Sequence, residues 1–324
     1  MRLKIIRLLT VSARKSDLAA KVAWLYFVGN HTQQEIAETL HVSRPTVQRL
    51  IASATESGFV QVRISRPTHD CMEVAEELSK RFKLAQCDVA PTEGGSEAAS
   101  MRAIAVTGAA VLERYLAHPG LSVLALGSGR TIKAVVDEVA DTPLPQLKIL
   151  SLAGAIALDG AFNRYDSGLR LADRTGGKHY LLPMPVVAPT IADRDAWNEH
   201  RLHKILEELY EQAEAAFIGI GTVAPGSPLL EDGFISEDEL LELIRLGAVG
   251  EILGWPLDAQ GQVVASPLSD RVTSPRLAKL AMRPVIAFAA GRRKVPAILA
   301  ALRGGWLRGL VTDYDTARLI LQAR

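Results

Sequence analysis

The chain has only two cysteines, Cys71 and Cys87, and they form neither a CxxC redox pair nor a spacing suited to metal ligands. No apolar run reaches the roughly eighteen residues that a membrane helix requires, and the amino terminus has no signal-peptide pattern. The expectation is a reduced, cytoplasmic protein with no membrane partner. The phosphate-binding ending GK[ST] is missing, as are the third glycine of a GxGxxG fingerprint and any Ser/His/Asp arrangement recognisable by spacing. The sequence therefore assigns no catalytic residue, no metal ligand and no cofactor.

What is present is an ordinary globular composition, 48% apolar and 23% charged over 324 residues, long enough for a large domain and a smaller one. The net charge of +1 conceals an asymmetry. Residues 1–66 carry ten Lys or Arg against four Asp or Glu, a net of +6, which leaves 67–324 at −5. A basic module on an acidic body suits a polyanion-binding unit joined to one that does not bind polyanions. The expected division is 1–66 and 67–324, with a linker over Ser65–Asp70.

In the basic module, apolar residues at 18, 22, 25 and 28 mark one face of a helix that Gly29 and Asn30 end. Thr32 and Glu35 have capping-box spacing, and Ile36, Ala37 and Leu40 form the inner face of a short second helix. His41 and Val42 make a turn. Ser43 is the next N-cap, Pro45 lies in the first turn of a third helix, and Val47, Leu50 and Ile51 face inward. This is helix-turn-helix spacing, with His41 where the turn usually has glycine. The third helix leaves Arg44, Thr46, Gln48 and Arg49 outside for a major groove, while Ser43, Thr46 and Gln33 suit the phosphate backbone. Double-stranded operator DNA is the expected partner. Phe59–Ile64 alternates like a strand, with Arg63 and Arg66 as further phosphate contacts.

From about Cys71 the pattern becomes apolar strand, glycine loop, helix: strands near 123–126, 148–152, 217–220, 285–289 and 310–311, with helices following several of them. The implied fold class is α/β, a doubly wound, mostly parallel sheet whose ligand lies beyond the strands' carboxyl ends. In ALGSGRT, two glycines allow close backbone approach, Ser128 and Thr131 offer hydroxyls, Arg130 a charge, and the following helix its positive end, which together suit an anion. Lys294, in another such loop, is a second cation for it. Asn163, Glu251 and Asp258 are the amide and carboxylates placed to meet hydroxyls. Asp313 is expected to cap the last helix, and Trp197, Trp255 and Trp306 to be core or interface residues.

The segment from Val22 to Ile64, together with LALGSGRT, FIGIGT and AFAAGRRKVPAILAALRGGWLRGLVTDYDTA, resembles SorC-type (SorC/DeoR-like sugar-binding) bacterial transcriptional regulators over almost the whole chain. The resemblance implies an effector domain similar to ribose-phosphate isomerases and glucosamine-phosphate deaminases, binding a sugar, polyol or sugar phosphate and forming dimers and tetramers. It places phosphate contacts on Ser128, Arg130, Thr131 and Lys294, and hydroxyl contacts on Asn163, Glu251 or Asp258. The sequence departs from the family at Ala153–Ala155, which lacks a glycine pair, and at Ala290–Arg293, with one glycine and two arginines.

A ligand-controlled transcription factor is the leading reading. The alternative is a sugar-phosphate isomerase or deaminase with an appended DNA-binding module, using Asp313 or Glu251 as base. A third is an architectural DNA-binding protein whose body only oligomerises.

Overall fold

The structure, a computed structural model, describes residues 16–57, 59–60, 68–92, 96–157 and 159–323. The chain divides into two compact units, Met1–Ser65 and Arg66–Arg324.

In the first unit, helix α1 (16–27), α2 (Gln33–Thr39) and α3 (Arg44–Glu56) pack around Val22, Ala23, Ile36, Ala37, Val47, Leu50 and Ala54. Of the expected inward positions Val22, Ile36, Ala37, Val47 and Leu50 are buried and Leu18, Leu25, Leu40 and Ile51 half-buried, whereas Val28 is exposed because α1 ends at residue 27 and turns Ala19 and Ala23 inward instead. Most of the strand expected over Phe59–Ile64, and the contacts expected of Arg63 and Arg66, lie outside the described residues.

The second unit starts earlier than the linker reading allowed, because α4 (His69–Phe82) already includes His69 and Asp70, the latter a carboxylate in its first turn. Seven strands follow in one parallel sheet: β1 (Gln86–Ala90), β2 (Val123–Leu126), β3 (Lys148–Gly154), β4 (Lys178–Leu182), β5 (Ala215–Gly219), β9 (Val285–Phe288) and β10 (Gly309–Asp313). Their order is β1-β10-β9-β5-β2-β3-β4, and every pairing is parallel. VLAL in β2 and VIAF in β9 are buried throughout, and unbroken apolar runs of this kind mark strands covered on both faces. The covering helices are α4, α5 (Glu97–Leu116), α6 (Arg130–Glu138), α7 (Gly168–Thr175), α9 (Arg201–Glu211) and α14 (Tyr314–Gln322), while α8 (Ile191–Glu199) packs on α9 and α13 (Val295–Arg303) on α14. A small antiparallel sheet, β6 (Gly221–Thr222), β7 (Ala248–Ile252) and β8 (Trp255–Asp258), is inserted between β5 and β9, with α10 (Pro228–Glu231), α11 (Glu237–Arg245) and α12 (Leu277–Leu280) around it.

From β2 the chain moves outward to β3 and β4, then returns to the other side of β2 as β5 and continues to β9 and β10. The direction reverses between β2 and β5, and a crevice opens where their following loops diverge, the usual ligand position in open α/β sheets.

Candidate functional site

In the DNA-binding unit the local sequence sets the recognition helix. The Thr32 N–H donates to Glu35 Oε2 at 2.7 Å and the Glu35 N–H to Thr32 Oγ1 at 3.2 Å, a complete capping box on α2. His41 takes the turn with φ 54°, the left-handed conformation that its place in the turn demanded. Ser43 caps α3, accepting the Thr46 N–H at 3.4 Å, and Pro45 stands in the first turn. Arg44, Gln48 and Arg49 are exposed, while Gln33 and Thr46 are half-buried. The Ser43 and Thr46 hydroxyls lie 2.9 Å apart and bond to each other, so phosphate would share hydroxyls already engaged.

In the larger unit a cavity of about 340 Å³ occupies the crevice at the reversal point. The β2 loop supplies Ser128, Gly129, Arg130 and Thr131, the β5 loop Gly219–Thr222, the β9 loop Gly291 and Lys294, and the small sheet Glu251. Six of the seven residues expected at the effector site therefore meet there: Ser128, Arg130, Thr131, Asn163, Glu251 and Lys294.

Asp258 does not. It ends β8 and spends its carboxylate on its own turn, with Oδ1 accepting the Gln260 and Gln262 N–H groups at 2.9 and 2.8 Å. Short-range backbone donors in an Asx-type turn outcompeted the ligand role expected of it.

Gly129 begins α6 with φ 131° and no side-chain cap, leaving the first helical N–H groups and the positive helix end toward the cavity. Lys294 forms no ion pair within 4 Å among the described residues; burial holds its ammonium below the ordinary value, opposed by Glu251. Burial likewise pushes the Glu251 carboxyl up, opposed by the Gly254 N–H, which donates to Oε2 at 2.7 Å, and by Lys294. A Cβ at residue 221 would overlap the Glu251 carboxylate, so only glycine at that position leaves it room. Asn163 is buried: its Oδ1 accepts the Tyr165 N–H at 3.0 Å, and its Nδ2 has no hydrogen-bond partner. A buried donor left unpaired costs about 1–3 kcal/mol, which a ligand acceptor would offset.

Arg130 is not the free charge expected. It donates to Glu231 Oε2 at 2.6 Å, lies 3.7 Å from Asp232 Oδ1, and stands over the Tyr165 ring. The Glu231 bond raises its already high pKa further. Tyr165, Glu231 and Asp232 were missed because a loop and the end of a four-residue helix, brought in from elsewhere in the sequence, carry no periodic signal. Glu97, Glu231, Asp232 and Glu251 face Arg130, Arg293 and Lys294 around the cavity. Four carboxylates against three cations suit a hydroxyl-rich ligand with one anionic end better than a multiply charged anion. The arginine pair adds little, since Arg292 and Arg293 are both exposed and Arg293 stands 3.6 Å from Glu97.

Asp313 does cap the last helix, accepting the Thr316 N–H at 2.6 Å, and Trp255 and Trp306 are tied inward to the Pro275 and Gly261 carbonyls.

A helix-turn-helix unit followed by an α/β unit with a sugar-sized crevice at its switch point defines a ligand-responsive transcriptional regulator. The family described as "Putative sugar-binding domain" matches residues 66–322, and the MarR family matches 22–69. The chain belongs to that sugar-binding family, among the SorC/DeoR-type transcriptional regulators. It is 34% identical to the erythritol catabolism regulatory protein EryD of Brucella abortus, over 94% of this chain and 96% of that one. It is 30% identical to the transcriptional regulator LsrR of an Enterobacter strain, over 95% and 93% respectively. The crystal structure of the full-length sorbitol operon regulator SorC from Klebsiella pneumoniae superposes with a TM-score of 0.72 at 26% identity, covering 94% of this chain and 98% of that one. Among the described residues no helix is long and apolar enough to cross a membrane.

Proposed function

We propose that this regulator controls carbohydrate or polyol metabolism, and that a polyol or sugar carrying one phosphate sets its operator affinity from the crevice between β2 and β5. The observation that carries the proposal is Lys294: a half-buried ammonium with no ion pair within 4 Å among the described residues, in the cavity that Glu251 and the uncapped start of α6 also line. Phosphate sits between Lys294, Ser128, Thr131 and the α6 N–H groups; Asn163 Nδ2 and Glu251 meet hydroxyls. Arg130 joins the phosphate by leaving Glu231. Four-carbon polyols are the first ligands to try, because EryD is named for erythritol catabolism.

Operator contacts fall to Arg44, Gln48 and Arg49 at base edges, with Gln33, Ser43 and Thr46 along the backbone. The 1–66 segment acts as the DNA module and 67–324 as the effector and oligomerisation module. A cytoplasmic homodimer or homotetramer couples the two: the effector favours one arrangement, and half-sites spaced for one arrangement respond. We assign no enzymatic activity, in keeping with the relatives being regulators. Turnover of ribose 5-phosphate or glucosamine 6-phosphate by the purified chain would overturn that assignment.

The test is a thermal-shift screen over polyols, sugars and their phosphates. A ligand at 100 times its Kd adds about 2.7 kcal/mol of stability. The proposal requires a phosphorylated hit that disappears in Lys294→Ala. Hits confined to neutral polyols would refute the phosphate assignment.

A further inference from the structure

A second cavity, of about 290 Å³, lies on the other side of β3 and the β7–β8 turn from the first. The two share a wall: Leu152 lines the second and Ala153 the first, Trp255 the second and Leu253 the first. The turn between them is held from both sides. Glu251 accepts the Gly254 N–H at 2.7 Å, while on the far side Ser274 Oγ donates to the Leu253 carbonyl at 2.7 Å and Trp255 Nε1 to the Pro275 carbonyl at 3.0 Å.

The second cavity has an apolar floor and a basic rim. Leu150, Leu182, Leu206, Tyr210 and Trp255 make the floor; Arg194, Arg276 and Lys279 on the rim outnumber Glu207. Two buried nitrogen atoms there have no hydrogen-bond partner. His203 Nδ1 is buried with no hydrogen bond, Nε2 of the same ring lies 3.8 Å from Glu207 Oε1, and burial pushes the imidazole pKa down against the pull of that carboxylate. Arg194 Nε is buried and ion-paired with Asp195 Oδ1 at 2.8 Å without hydrogen-bond geometry, which leaves its terminal nitrogens for a ligand. Lys279 is occupied by Glu207 at 2.9 Å, whereas Arg276 has no ion-pair partner within 4 Å among the described residues. Apolar contacts with a few convergent polar groups are the usual make-up of a small-molecule site.

We infer that this cavity is a second ligand site, distinct from the polyol crevice, for a small amphipathic monocarboxylate: a flat apolar body on the leucine and tryptophan floor, its carboxylate accepting from His203, Arg194 and Arg276. The guanidinium fork matches carboxylate geometry, and among the described residues no glycine-rich loop lines this cavity, which sets its chemistry apart from the first.

Calorimetric titration of the full chain with benzoate, and with benzamide as the uncharged control, tests this. Benzoate binds saturably with a Kd of about 1 mM or below, and benzamide at least about fivefold more weakly. Arg276→Ala, at an exposed position that the fold does not need, weakens benzoate about tenfold. Leu206→Trp fills the floor and abolishes binding in a protein whose circular dichroism is unchanged. Lys294→Ala, in the other cavity, leaves benzoate affinity as it was. Absence of saturable benzoate binding, equal affinity for benzamide, indifference to Arg276→Ala, or loss of binding in Lys294→Ala would each overturn the inference.

Discussion

Arg130, in the first turn of α6, and Glu231, at the end of α10, are joined by a 2.6 Å charged hydrogen bond at the half-exposed edge of the crevice between β2 and β5. The cation that the ALGSGRT loop offers to an anion is thus already bound to a carboxylate, and an effector phosphate must compete for it. Arg164 stands 3.6 Å from Asp232 in the same cluster and stacks over Tyr165.

Removing the competitor should therefore help a charged ligand. Glu231→Ala is expected to tighten a polyol phosphate about three- to tenfold and leave the neutral polyol unchanged, while Arg130→Ala weakens only the phosphate ester. Both side chains are more than a third exposed, so thermal stability should shift by no more than about 0.5 kcal/mol. Calorimetry with the ester and the free polyol checks the split.

Glu251 stands where burial disfavours its ionised form. Its folded pKa is raised, so its contribution to stability is complete below the unfolded value of 4.5 and lost as pH rises through the raised value. Near pH 7.5 Glu251→Gln is expected to stabilise the empty protein by about 0.5–2 kcal/mol while abolishing the effector response, a trade common at binding sites. The gain should shrink toward pH 4.5, as a melting series in both proteins would reveal.

His179 provides the acid-side signature. Its ring nitrogen lies 2.8 Å from Ser151 Oγ and 3.6 Å from Asp166, and burial pushes its pKa down against the pull of that carboxylate. A depressed folded pKa gives stability that is present above 6.5 and lost as pH falls through the lowered value. Unfolding free energy should fall below about pH 6.5 with a slope of up to about 1.4 kcal/mol per pH unit for this one proton. His203, also depressed, adds in the same direction, so His179→Gln should remove about half of the slope.

On the DNA side, Arg44→Ala and Gln48→Ala should each cost about 1–3 kcal/mol on the operator and relax discrimination at particular bases. An equal loss on every sequence would place them on phosphate. Neither substitution should alter effector affinity measured without DNA.

Much of this was legible in the sequence, for physical reasons that differ by element. The recognition helix could be read because its signals are local: Thr32 with Glu35, Ser43 with Pro45, and Val47 with Leu50 each act within one or two turns. Strands such as VLAL and VIAF announced themselves as short apolar runs between glycine loops. The edge strands β1 (QCDVA) and β4 (KHYLL), and the inserted antiparallel sheet, did not, because polar and charged residues interrupt them. At the site, Ser128, Arg130, Thr131 and Lys294 lie in the loops and first helical turns that directly follow sheet strands, where the fold alone puts a ligand. The failures needed tertiary knowledge. Asp258 was captured by its own turn, Arg130 by a carboxylate a hundred residues away, and the second cavity is assembled from six separate stretches, no one of which carries a motif.

The most direct test of the central claim is fluorescence anisotropy of the full chain on its operator, with and without the phosphorylated polyol that the thermal-shift screen selects, in the wild type and in Lys294→Ala. A change in operator affinity of about 5- to 150-fold in the wild type, absent in Lys294→Ala whose ligand-free DNA affinity is unchanged, is the predicted result. Unchanged operator affinity at saturating ligand, or a full response in Lys294→Ala, would contradict it.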